Sequence, residues 1–209
     1  MATMNVITIS RQLGAGGAFV GLELAKKLQI LFADKEIIQM AAEQLSTVEE
    51  NLALREEKRL SFWHSFYKNL PLNDVISVPP VAPELEFSDE ELFDVEAEVI
   101  KRIVATHSAV ILGRCGFDVL KDHPNHVSVL LHADKDFRIH KMKGLYNLSD
   151  TEATKLIEKG DRERSIYCRT FTGKDWLNAR NYDLAVDTSK ISFEKAVEII
   201  LNYQQIKME

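Results

Sequence analysis

The chain is predicted to fold as an α/β domain, a parallel sheet covered by helices on both faces, and three observations carry that expectation. Short apolar runs rich in β-branched residues alternate with stretches of helical period. The first of these runs breaks into a turn holding Gly14, Gly16 and Gly17, and a helical pattern begins near Ala18. At 209 residues, 45% of them hydrophobic, the chain can fill one core and is short for two.

Five runs qualify as buried strands: residues 6–9, 30–33, 109–112, 127–131 and 184–186, bounded by Gly, Asp or Pro signals. Val20, Leu24 and Leu28 repeat on one helical face after the glycine turn, and Phe93, Ile100 and Val104 do so before the third strand. Ser-x-x-Glu boxes at Ser46, Ser88 and Ser149 mark three helix starts, because serine and glutamate there satisfy first-turn N–H groups reciprocally. Such an alternation places ligands at the carboxyl ends of the strands.

Residues 35–97 separate the second and third strands by more than a crossover helix needs, and they hold Pro71, Pro79, Pro80 and Pro83. The segment reads as an insertion into one domain spanning 1–209. Within it, residues 49–68 are expected to be helical and 70–87 irregular, with Phe62, Trp63, Phe66 and Tyr67 available to cover a pocket or to form a local cluster.

Composition excludes several function classes. No apolar run approaches the ~18 residues needed to cross a bilayer, and no basic segment followed by an apolar one opens the chain, so a cytoplasmic protein without a membrane partner is expected. Cys115 and Cys168 make neither a disulfide framework nor a metal cluster, and the histidines lack ligand spacing, so reduced thiols and no metal held by protein ligands alone are expected. A formal charge of −6 argues against nucleic acid as a partner. Positive charge is concentrated instead: Lys159, Arg162, Arg164, Arg169 and Lys174 face only Asp161 and Glu163 within residues 159–174.

The glycine turn suits an anion. Glycines let the backbone bend tightly and present its N–H groups, and the following helix aims its positive end at the same place. Ser10, Arg11, Gly14, Ala15, Gly16, Gly17 and Ala18 are thereby candidate phosphate contacts. A Walker A loop ends Gly-Lys-Ser/Thr, whereas this chain reads Gly16-Gly17-Ala18-Phe19, so part of the positive charge must come from elsewhere. A dinucleotide fingerprint would account for Gly14, Gly16 and Asp34, but its third glycine would fall on Phe19.

The blocks Ile9-Ser-Arg-Gln-Leu-Gly-Ala-Gly-Gly17, Phe32-Ala-Asp-Lys-Glu-Ile-Ile38, Gly113-Arg-Cys115, Asp161-Arg-Glu-Arg164, Tyr167, Thr170-Phe-Thr-Gly-Lys-Asp-Trp176 and Asn181-Tyr-Asp-Leu184 reach from end to end of the chain. Together they resemble the cytidylate kinase-like family, a branch of the P-loop nucleoside monophosphate kinases. The family typically carries Gly-Ser-Gly-Gly-Arg-Glu at the loop, so the missing lysine is a feature of the branch; its Arg and Glu are Ala18 and Phe19 here.

The resemblance implies a P-loop NTPase fold with a five-stranded parallel sheet of order 2-3-1-4-5, a monophosphate-binding insertion at 35–97 and a lid at 157–176. It implies ATP and Mg2+ as cofactors, small nucleotide substrates as partners, and phosphoryl transfer from ATP to a nucleoside monophosphate, CMP first among them. Asp34 and Arg114 then match monophosphate-binding positions, residues 186–189 lie near the adenine pocket, and Arg162, Arg164 and Arg169 are the lid arginines that would neutralise the transferring group. Such arginines suit this chemistry because charge neutralisation and positioning dominate it. On one helix Arg162 and Arg169 share a face, and Arg164 is turned by about 200°. Each residue also has an ordinary role: Asp34 as a helix cap, Arg114 as a salt-bridge partner, Cys115 as a small buried residue where cytidylate kinases proper carry an aspartate. The alternatives are a nucleotide-binding module without turnover, or a kinase for another small phosphorylated acceptor.

Overall fold

The computed structural model describes residues 4–35, 37–38 and 89–209. In chain order its elements are β1 (Val6–Arg11), α1 (Gly17–Leu28), β2 (Leu31–Ala33), α2 (Asp89–Thr106), β3 (Ala109–Leu112), α3 (Gly116–Val119), β4 (His126–His132), α4 (Lys135–Tyr146), α5 (Asp150–Thr172), β5 (Leu184–Asp187) and α6 (Phe193–Met208). The boxes at Ser46 and Ser88, the segments 49–68 and 70–87, and the aromatics Phe62, Trp63, Phe66 and Tyr67 lie outside the described residues.

All strand pairs are parallel, in the order β2-β3-β1-β4-β5 expected from the sequence. Alternation decides the two faces. Val6, Ala109 and Ile111 point to one side, where Val99, Ile100, Ile103 and Val104 of α2 cover them. Ile7, Ile9, Val110 and Leu112 point to the other, under Val20 and Leu24 of α1 and Val197 and Ile200 of α6. Strands apolar on both sides are what helical layers on both faces require.

β1 runs two residues beyond the expected strand because Ser10 and Arg11 still pair with Leu130 and Leu131 of β4. That pairing carries Arg11 to the carboxyl edge of the sheet, where the glycine turn begins. α5 starts at a capping box in which Ser149 accepts the Glu152 N–H and Glu152 accepts the Ser149 N–H. It runs unbroken for 23 residues and ends at Gly173 in a left-handed conformation, so residues 157–176 are the later part of one helix plus its exit turn. Among the described residues, no helix is long and apolar enough to cross a membrane.

Candidate functional site

The glycine turn is braced from below by α4 and α5. The Oδ1 of Asp161 accepts the Leu13 N–H at 2.9 Å, and its Oδ2 accepts Arg138 Nη1 at 2.5 Å. Arg138 also donates to the carbonyls of Leu13 at 3.3 Å and Ala133 at 3.2 Å. From behind, the buried Thr188 hydroxyl donates to the Ala15 carbonyl at 3.1 Å. Gly14 and Gly16 take left-handed φ values of 88° and 79°, and Gly16 caps α1.

Gly17 stands where a Walker lysine would be, and a Cβ placed there would lie 2.6 Å from Cγ of Arg11. The stem of Arg11 therefore occupies the space in which that lysine would start. Its guanidinium continues across to the turn after β3, where a Cβ on Gly113 would collide with Nη1. Absence of a side chain at both glycines lets Arg11 lie flat across the mouth of the sheet.

Beside the loop is a cavity of about 230 Å³ whose wall includes Ser10, Arg11, Lys35, Arg114, Cys115, Arg164, Tyr167, Cys168 and Trp176. Arg114 enters from the turn after β3, which holds it at a positive φ of 49°. Its Nη2 meets Oε1 of Glu96 at 2.8 Å; the two side chains are 12% and 1% exposed. The second carboxylate oxygen of Glu96 accepts the Tyr167 hydroxyl at 2.8 Å, and the Arg114 guanidinium lies 5.0 Å from the Tyr167 ring centre. Burial pushes the Tyr167 phenol up. Arg164 enters from α5, 3.8 Å from Asp161, and burial lowers its pKa against the pull of that carboxylate.

Arg114 Nε and Arg164 Nη1 are both buried without a hydrogen-bond partner. Buried guanidinium nitrogens without hydrogen-bond partners are costly, and both belong to arginines that line the cavity.

Of the residues singled out from sequence, Ser10, Arg11, Arg114 and Arg164 share this wall, and Gly14, Ala15, Gly16, Gly17 and Ala18 form the loop and first helical turn beside it. Asp34 is outside the wall; its Oδ1 accepts the Ile37 N–H at 3.1 Å in the manner of a helix cap, and Lys35 lines the cavity instead. Arg162 and Arg169 are exposed on α5 and do not line the cavity. Sequence reasoning missed Arg138 and Glu96 as site residues. Arg138 lies in a short polar helix and carried no local signal. Glu96 sits among acidic residues that read as a solvated face, and its partner Tyr167 is 71 residues away.

Of metal-binding groups of three or more His, Cys, Asp or Glu, none occurs among the described residues. Ser10 is buried in the cavity wall; the neighbouring Tyr182 phenol donates to the Trp176 carbonyl at 2.7 Å, and burial pushes it up.

A family model described as the cytidylate kinase-like family matches residues 6–190. Among solved structures, an uncharacterized protein from Eubacterium ventriosum is 20% identical, with 97% of this chain and 99% of that one covered and a TM-score of 0.72. Shikimate kinase from Bacteroides thetaiotaomicron is 14% identical over 97% and 99% of the two chains, at a TM-score of 0.51. A gluconokinase from Sinorhizobium meliloti is 14% identical over 98% and 94%, at 0.50. These likenesses show the fold. An S-adenosylmethionine-dependent nucleotide dehydratase from Lacinutrix mariniflava is 23% identical over 136 residues, which are 65% of this chain and 27% of that protein. The match thus spans about a quarter of that relative's length.

Proposed function

The chain belongs to the cytidylate kinase-like family, and on that premise we propose that it transfers the γ-phosphoryl group of ATP to a nucleoside monophosphate, with CMP as the favoured acceptor. One observation carries the reading: Arg11, Arg114 and Arg164, from three different elements, line one cavity beside the glycine loop. Phosphoryl transfer asks a protein chiefly to position two phosphates and to neutralise the charge spreading over the transferring group.

In this assignment the loop N–H groups and the first turn of α1 hold the donor phosphates. Arg11, whose stem fills the place of the Walker lysine, supplies the missing cation at that point. Arg114, held in place by Glu96 and Tyr167, meets the acceptor phosphate from the cavity wall. Arg164 closes over the transferring group from α5. Magnesium, when bound, would offset the charge of the donor phosphates. The residues fit it through phosphate and water, with the Ser10 hydroxyl within the same wall. A nucleotide acceptor is supported by the family description and by the nucleotide in the dehydratase's name.

Ala18, standing where a Walker hydroxyl would be, and Phe19, 5.7 Å from the Phe193 ring, favour the second reading, a nucleotide-binding module without turnover. A coupled ATP-to-CMP assay run beside thermal shifts with nucleoside mono- and triphosphates separates the two. A ligand at a hundredfold excess over its Kd stabilises by about 2.7 kcal/mol, which such a shift reads easily. CMP-dependent ADP release is the expected result. Nucleotide stabilisation with no turnover on any monophosphate would establish the module, and no response to any nucleotide would overturn both.

A further inference from the structure

We propose that Cys115 and Cys168 form a redox pair in the wall of the cavity and close into an intramolecular disulfide when a peroxide enters it. They are the chain's two cysteines, so one intramolecular pairing exists. One stands on the turn after β3 and the other near the end of α5, yet both are buried in a single cluster with Phe117 and Trp176. The two thiols are neighbours within that cluster, and both line the cavity. Cys168 Sγ also lies 3.4 Å from the Thr172 hydroxyl and 3.5 Å from the Lys174 carbonyl. The cysteines are only 6% and 3% exposed, and because both line the cavity it is the route by which an oxidant as small as hydrogen peroxide reaches them.

The pair divides its roles through that proximity. The neighbouring Cys115 draws the Cys168 thiol below its ordinary range, and the same contact, with burial, pushes Cys115 up. Cys168 is therefore the attacking thiolate. Its sulfur takes one oxygen of hydrogen peroxide as the O–O bond breaks; the departing hydroxide receives the thiol proton and leaves as water, and Cys168 becomes a sulfenic acid. The Cys115 sulfur then attacks the sulfenic sulfur, an S–S bond forms as S–O breaks, and the hydroxyl leaves as water with the Cys115 proton. Two thiols lose two electrons and one peroxide becomes two waters.

Closure would act on the site directly. Cys115 follows Arg114 in the chain, and Cys168 is one helical turn beyond Arg164. A bridge between them ties together the two elements that carry those arginines. This consequence rests on the proposed function; the bridge itself does not.

The test uses the full chain, treated with hydrogen peroxide, denatured, alkylated with iodoacetamide and weighed intact before and after dithiothreitol. Untreated protein should take two alkyl groups. Oxidised monomer should take none, weigh less by two hydrogens, give a Cys115–Cys168 crosslinked peptide, and recover both thiols on reduction. In Cys115→Ala the remaining Cys168 should gain oxygen instead, whereas in Cys168→Ala the remaining Cys115 should stay alkylatable. Where either variant fails to fold, the wild-type crosslink map decides alone. Two alkylated thiols after oxidation, oxygen adducts on both cysteines, or a disulfide-linked dimer as the product would overturn the pair. A bridge that leaves nucleotide thermal shifts unchanged would keep the pair and remove its effect on the site.

Discussion

Asp161 on α5 holds Leu13 in the glycine loop by accepting its N–H at 2.9 Å, while its other oxygen accepts Arg138 Nη1 at 2.5 Å. Helix α5 and the glycine loop are thus joined one residue before Gly14 by an ion pair whose side chains are only 8% and 19% exposed. Removing one member strands a buried charge, which typically costs about 3–5 kcal/mol. Asp161→Ala should therefore lower stability by about 3 kcal/mol and weaken nucleotide binding, and Arg138→Met should do the same. Because both act through one contact, the double variant should fall well short of the sum in urea denaturation. Additive losses would mean that the pair does not brace the loop.

Arg114 carries two consequences that one substitution mixes. Arg114→Ala removes the proposed contact to acceptor phosphate and also leaves Glu96, 1% exposed, without its cation. The double variant Arg114→Ala with Glu96→Gln should recover most of the stability, because a neutral amide replaces the stranded carboxylate. Acceptor binding should not recover. A charge-assisted contact of about 1.5–3 kcal/mol predicts a 10- to 150-fold rise in KM for CMP in both variants, with ATP binding nearly unchanged. Recovery of CMP kinetics along with stability would remove Arg114 from the acceptor site.

The legible part of this fold was its apolar part. Runs such as residues 109–112 carry β-branched residues between turn signals, and β3 has those same bounds. The Ser149 box could be read because both partners are three residues apart, and the cap at Asp34 was among its ordinary roles for the same local reason. Of the candidate site, the glycine turn and the cavity-lining Arg11, Arg114 and Arg164 could be singled out from the sequence, and what holds them could not. Glu96 looks like a surface acid in sequence, and only its distant partners Arg114 and Tyr167 explain its burial. Helical geometry separated Arg164 from Arg162 and Arg169, but which face turns inward depends on where α5 docks, and that is a property of the packed molecule.

That face supplies the next prediction. Arg164 lines the cavity, whereas Arg162 and Arg169 are exposed on the helix. Arg164→Ala should lower kcat for ATP-to-CMP transfer by about a thousandfold, the smaller end of what an arginine at a transferring phosphoryl group contributes. Arg162→Ala and Arg169→Ala should stay within a few-fold of wild type in the same assay. Equal losses at all three positions would show that the lid arginines act together in a closed state.

Away from the site, at the start of β4, His126 gives the fold a pH dependence of definite sign. Its Nε2 lies 2.7 Å from the Thr8 hydroxyl, and burial lowers its pKa to about 4, against Asp183 nearby and with Lys207 and His123 on the same side of the balance. Lowered folded pKa means that between about pH 4 and pH 6.5 the unfolded chain binds a proton that the folded chain refuses, so stability rises with pH through that window and is complete above it. The contribution is up to about 3 kcal/mol. His107 and His123, also lowered by burial, add smaller effects of the same sign. Asp183, whose folded pKa is lowered, keeps its contribution through this window and loses it only at more acid pH. Urea unfolding from about pH 7 down to about pH 4.5 should show the loss, and His126→Gln, which keeps a hydrogen-bonding group without a titrating one, should flatten most of it. A wild-type profile that is level across this range, or a variant profile as steep as wild type, would place the pH dependence elsewhere in the molecule.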